Sequence, residues 1–135
     1  MYINNLILLI WIQKRMTVLI NKNYRAAAFI IGCLFSRALI ALIAKVASNG
    51  TLRVMGLLGL IPAISFMVIY TFGLRKSGTE TGGELIWWNE LRPVHSLLYF
   101  TFAYLAITSN RNAWVPLFLD VCIGLIAWVI HRIKN

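Results

Sequence analysis

Apolar residues run through this chain in blocks too long for the faces of a soluble helix. Ala26–Ala47 is apolar apart from Arg37 and Lys45 at its charged positions. Val54–Leu74 carries no charge, with Pro62 near its middle. Pro93–Thr108 is a shorter block, and Ala113–Ile130 holds a single charged residue, Asp120. A helix needs about 20 residues to cross roughly 30 Å of hydrocarbon, so three blocks are long enough and the third is marginal. The pattern predicts an all-α fold: a four-helix transmembrane bundle with spans at about 26–47, 54–74, 93–108 and 113–130.

Between the blocks the connections are short. Ser48-Asn49-Gly50-Thr51 reads as a turn, with Gly50 suited to a helix C-terminus. Ser109–Asn112 closes the last hairpin, Pro93 suits a first helical turn, and Pro62 predicts a kink. The longest polar stretch, Arg75–Arg92, starts as a glycine-rich loop and ends with Trp87 and Trp88, a pair expected in the head-group belt. Residues 1–20 form a separate segment. Ile3, Leu6, Ile7, Ile10 and Trp11 share one helical face, as an interfacial helix would require. The alternative is that the natural start is Met16. Residues 21–135 make up the membrane domain.

Composition agrees with this division. The chain of 135 residues is 60% hydrophobic, its mean hydropathy is +0.77, and only 13% of its residues are charged. Soluble domains carry roughly 25% charged residues, which excludes an ordinary soluble protein. The net charge of +9 would point to nucleic acid in a soluble domain. Here the cations flank apolar blocks, no basic patch is interleaved with aromatics, and no nucleic-acid partner is expected. Lys14, Arg15, Lys22, Arg25, Arg75, Lys76, Arg92, Arg132 and Lys134 fall on one side of the spans, against Lys45, Arg53 and Arg111 on the other. This bias predicts an integral multi-pass protein with both termini cytoplasmic, in contact with the lipid bilayer.

Asp120, Arg37 and Lys45 are the candidate chemistry. Ionisable groups at membrane depth cost several kcal/mol unless paired or wetted, so they face a bundle interior. Cys33, Arg37, Ala41 and Lys45 lie on one helical face, and Pro116, Asp120, Gly124 and Trp128 on another. Small residues let membrane helices approach closely, so these faces are expected to meet or to mediate self-association and protein contacts. Side chains lean towards a helix's N-terminus, which favours Lys45 over Arg37 as the closer partner of Asp120. The cluster is read first as an ion pair fixing helix register and second as the site of an ion or proton channel or transporter.

Three further sets are weaker. His95 and His131, each at a helix end, would hold a metal or haem only with further ligands, and they read as caps contacting head groups. Glu90, Arg92 and His95 place an acid, a cation and a base close together, the set a membrane enzyme would use. No nucleophile elbow, phosphate loop or zinc-protease motif accompanies them, so the reading is a loop-to-helix salt bridge, with no catalytic residue and no cofactor. Cys33 and Cys122 are isolated and form no metal motif.

The run Ile86-Trp87-Trp88-Asn89-Glu90-Leu91-Arg92-Pro93-Val94-His95-Ser96-Leu97-Leu98-Tyr99, with Phe102-Ala103, resembles a "WWN..RP.H..LY..FA" pattern in small multi-pass membrane proteins of large DNA viruses of algae and protists. The resemblance spans about Arg37 to Arg132. It implies a viral membrane protein, and the function expected from the chain as a whole is a structural or assembly component of a viral internal membrane or host endomembrane. It marks Trp87, Trp88, Asn89, Arg92, Pro93 and His95 as an interaction motif and implies no activity.

Overall fold

A computed structural model describes residues 11–13, 24, 26–77 and 85–134. The fold is all-α, as the apolar blocks predict. Four helices are packed together: α1 (Ala28–Val46), α2 (Asn49–Phe72), α3 (Arg92–Ile107) and α4 (Trp114–Lys134). Helices α1, α2 and α4 are long and apolar enough to cross a membrane; α3, with 16 residues, is not. Most of the proposed segment 1–20, the interfacial helix and the Met16 alternative, lies outside the described residues.

Helix α1 begins as a π-helix over Ala28–Phe35 and continues as an α-helix from Ser36. Ser36 Oγ lies at the junction and donates to the Gly32 carbonyl at 2.7 Å. The expected turn at Ser48–Thr51 is instead the start of α2. Ser48 is the N-cap, its Oγ accepting the Thr51 N–H at 3.3 Å, and Gly50 sits in the first turn. A serine ahead of an apolar run satisfies orphan N–H groups, and this outweighs glycine's preference for helix ends. The C-terminal glycine of α2 is Gly73, left-handed at φ 59°. Pro62 lies inside α2 without ending it, and Pro93 occupies the first turn of α3. At the end of α3, Ser109 adopts φ 58° and its Oγ accepts from Arg53 Nε at 2.8 Å, tying the α3–α4 loop to the start of α2.

Helices α2 and α3 pack most closely. A Cβ on Gly56 would stand 2.8 Å from Ala106 Cβ and 3.0 Å from the Ala103 carbonyl oxygen. A Cβ on Gly59 would stand 2.8 Å from the Phe102 ring. Both glycines therefore let the α3 backbone and Phe102 approach α2 directly. Ser96 Oγ, fully buried, donates to the Ala63 carbonyl at 2.7 Å and joins the same helices by a hydrogen bond. The two small-residue faces meet inside the bundle as predicted: Ala41, Pro116, Asp120 and Gly124 are buried, and Gly124 lies against Leu34. The outward surface, including Leu42, Leu57, Ile61, Ile64 and Ile126, is apolar and exposed, as contact with acyl chains requires.

The short α3 begins well inside the bundle. His95, three residues from its start, meets Arg37 and Asp120. At about 1.5 Å per residue, Arg37 is roughly 14 Å from the start of α1 and Asp120 roughly 21 Å from the end of α4. The start of α3 is therefore roughly 9 Å deeper than the start of α1 and roughly 16 Å deeper than the end of α4. Residues 85–91, with a 3-10 turn at Asn89–Leu91, fill that layer. Non-helical backbone at membrane depth is tolerated only where protein covers it. Ile86 N–H bonds the Lys76 carbonyl at 2.9 Å, and Arg92 Nη1 donates to the Arg75 carbonyl at 3.0 Å and to Asn89 Oδ1 at 2.7 Å.

Replacing Gly56 with valine should lower the unfolding free energy in detergent by about 1–3 kcal/mol, the usual cost of overpacking a tight contact. Gly50→Ala, at an exposed position with open space around it, should stay within about 0.5 kcal/mol. Denaturant titration of both variants in the same micelles compares them; equal losses would contradict the close α2–α3 approach.

Candidate functional site

Asp120 is delivered by the second turn of α4 and is completely buried. An ionised carboxylate there must be paired and hydrogen-bonded. Its Oδ2 accepts from Arg37 Nη1 of α1 at 2.9 Å, and its Oδ1 from His95 Nδ1 of α3. Three helices thus converge on one carboxylate. Arg37 and His95 are themselves adjacent, Nη1 to Nδ1 3.4 Å, as two donors sharing an acceptor. Phe66 of α2 completes the surround: the Arg37 guanidinium lies 5.3 Å from its ring centroid and the His95 ring 5.9 Å from it. Asp120 Oδ1 is the acceptor, so in neutral His95 the proton sits on Nδ1 and the lone pair on Nε2. With Arg37 charged and His95 neutral, the cluster carries no net charge.

Lys45 does not join it. Its Nζ lies 4.7 Å from the ring centroid of Trp114, at the opposite end of the bundle from Trp87. The preference for Lys45 over Arg37 is therefore reversed. Lys45 is one residue from the end of α1, where its amine finds an aromatic face. Arg37 lies nine residues into α1 and is part-buried, with side-chain exposure of 15%, and its long guanidinium arm overrides the lean of its Cα–Cβ bond.

His95 is also not a helix cap touching head groups: its side chain is 5% exposed. The expectation placed it by its nearness to a loop, and the deep start of α3 moves it to the charge cluster. Glu90, Arg92 and His95 do not converge on one site. Glu90 accepts from Tyr70 Oη at 3.1 Å and from Asn89 Nδ2 at 3.3 Å, and Arg92 braces the loop backbone. His131 stacks on Trp87, ring centroids 4.2 Å apart and 5° from parallel, far along α4 from Asp120. Among the described residues, no group of three or more His, Cys, Asp or Glu side chains is placed to hold a metal.

Trp87 and Trp88 are half-buried and do more than edge the bundle. Phe29 of α1 lies 5.9 Å from Trp87 and 5.4 Å from Trp88, and stacks on Trp128 of α4 at 6.3 Å. The aromatic cluster joins the non-helical segment to both flanking helices. Beneath it, Arg37 and His95 form the floor of a small cavity of about 20 Å³. That is room for roughly one water molecule. The arrangement can hold a charge, orient an imidazole and admit a water; it is too small for an organic substrate.

No family model, curated protein or solved structure matches this chain.

Asp120→Leu should destabilise the bundle by about 3–5 kcal/mol, because it strands Arg37 without its counter-ion. Combining it with Arg37→Met should recover most of that loss. Lys45→Met should cost no more than about 1 kcal/mol, the scale of an exposed cation–π contact. Unfolding free energies of the four proteins form the test, and a Lys45→Met loss equal to that of Asp120→Leu would contradict the assignment.

Proposed function

We propose that this is an integral multi-pass membrane protein with a structural or assembly role, its helices α1, α3 and α4 held in register by the Arg37–Asp120–His95 cluster. One observation carries the reading: the charged groups at mid-depth satisfy one another, while the outward faces of the long helices are apolar. Both properties suit a scaffold in a bilayer. Burial of Asp120 weighs against an ion channel built on that carboxylate, and Lys45 stands apart from it. The separation of Glu90 and Arg92 from His95 weighs against a surface enzyme using the three together.

The membrane concerned is proposed to be viral or virus-modified, on the resemblance of the Trp87–Ala103 run alone. The proposed topology puts both termini and the Arg75–Arg92 connection on the cytoplasmic side, following the excess of Lys and Arg there. Arg53 bonded to Ser109 at one end, and Tyr70 bonded to Glu90 at the other, agree with antiparallel neighbours. Protein partners would meet the chain at the exposed helix faces or around the Arg75–Arg92 connection.

Expressed in cells, the protein should stay in the membrane pellet through alkaline carbonate washing. Single cysteines replace Leu85, Asn110 or Asp120 in a chain with Cys33 and Cys122 changed to alanine. An impermeant thiol reagent should label position 85 from the cytoplasmic side and position 110 from the other, and leave position 120 unlabelled. Labelling of 85 and 110 from the same side would reject the topology. Enrichment of the protein in purified virus particles would support the viral role, and its absence from them would count against it.

A further inference from the structure

The side chain of His95 is almost wholly enclosed, yet only one of its ring nitrogens is used. Nδ1 is bound to Asp120, whereas Nε2 makes no hydrogen bond to any described residue. Nor is Nε2 among sealed polar atoms left without a partner: no such atom occurs among the described residues. The free nitrogen thus belongs to a ring that borders the cavity beneath the tryptophans. That cavity is lined by Phe29, Cys33, Arg37, Trp87, Trp88 and His95, and it holds about 20 Å³, the size of a water site. It lies on the side of the cluster facing the Trp87–Trp88 turn, where the non-helical segment replaces helix.

We infer that His95 is a proton-binding site inside the membrane domain, reached by water through the cavity under Trp87 and Trp88. A hydronium ion entering the cavity gives its proton to the Nε2 lone pair and leaves as water. The Nδ1–H bond to Asp120 is kept throughout. The neutral Arg37–Asp120–His95 cluster becomes a cation of charge +1, with the imidazolium facing the carboxylate that already orients it. Such carboxylate–imidazole pairing fixes the tautomer and supports the charged ring, the role that second partners of histidine serve elsewhere.

The groups around His95 make the change specific to it. Helix α1 offers Arg37, which is always charged, and Cys33. Helix α4 offers Asp120, and α2 presents the Phe66 ring. Tyr99 lies one turn further along α3 and contacts Phe66. Arg92, one turn back, is directed to Asn89 and the Arg75 carbonyl. The 85–91 segment supplies Trp87 and Trp88, and Glu90 is turned outward to Tyr70. Histidine is the side chain among these whose ordinary titration range lies near neutrality. The scaffold role proposed above needs the cluster only as a lock; proton binding adds a charge change at the point where three helices meet. The inference rests on the bilayer placement in that proposal, and carbonate extraction tests the placement independently of any histidine signal.

The chain has two histidines, so nitrogen-labelled histidine in bicelles gives an uncrowded spectrum. His131→Gln removes the second without touching the cluster, and the unsubstituted protein serves if that variant folds poorly. Spectra are recorded from about pH 8 to pH 5, across the ordinary histidine range. The expected result is an unprotonated Nε2 and a protonated Nδ1 at the alkaline end, with Nε2 gaining its proton in one reversible step. Trp88→Ala, which opens the roof, should speed exchange of the Nε2 proton with water severalfold. A ring fixed in one protonation state throughout, or an Nε2 already protonated at the alkaline end, overturns the site. Exchange unchanged by Trp88→Ala overturns the route.

Discussion

A carboxylate with no access to water determines how this bundle is assembled. Asp120 must be matched by donors at both oxygens, and the donors come from two other helices. Arg37 fixes α1 against α4 at one depth, and His95 fixes α3 against both. A slip of one turn along any of these helices would strand a charge in a medium of low dielectric, at a cost of several kcal/mol. Apolar packing alone has little such selectivity between helices in lipid, because acyl chains are as apolar as leucine. The cluster therefore specifies register, whereas the glycine and serine contacts of α2 and α3 specify proximity.

That division of labour shapes the rest of the structure. Helix α2 contributes no charge to the cluster and is held by shape: Gly56 and Gly59 admit α3, and Ser96 adds a single directed bond to the Ala63 carbonyl. Its Phe66 ring meets Arg37 and His95, so even the helix without a charge in the cluster closes one of its walls. At the Trp87 end the short α3 leaves a gap between α1 and α4. The Leu85–Leu91 segment enters that gap, pairs its backbone through Ile86 N–H to the Lys76 carbonyl and Leu91 N–H to the Trp88 carbonyl, is tied by Arg92 to the Asn89 side chain, and caps the site with tryptophans. The aromatic roof is thus a consequence of where α3 must start for His95 to reach Asp120.

The long apolar blocks, the charges inside them and the facing small residues were all legible in the sequence, because each depends on local composition and a 3.6-residue period. Arg37 and Asp120 stood out as isolated ionisable residues in such blocks. His95 did not, since it lies two residues past Pro93 and three past Arg92, in a setting that reads as the wet end of a helix. One signal was available: a span of only about 16 residues cannot cover the hydrocarbon by itself, so one of its ends had to lie below the interface.

Sequence by itself determined that the chain is helical, that its helices suit a bilayer and that the charges within them need partners, because burial of backbone and of charge carries the same cost in any arrangement. Only the tertiary structure decided which partners they take. Arg37 rather than Lys45 reaches Asp120, His95 rather than Glu90 or Arg92 completes the pair, and Trp87 stacks on His131. The reason is that partner choice depends on the relative depth of neighbouring helices. Depth is set by long-range packing between α2 and α3 and by the segment that replaces the missing turns of α3, and no short window of residues contains it.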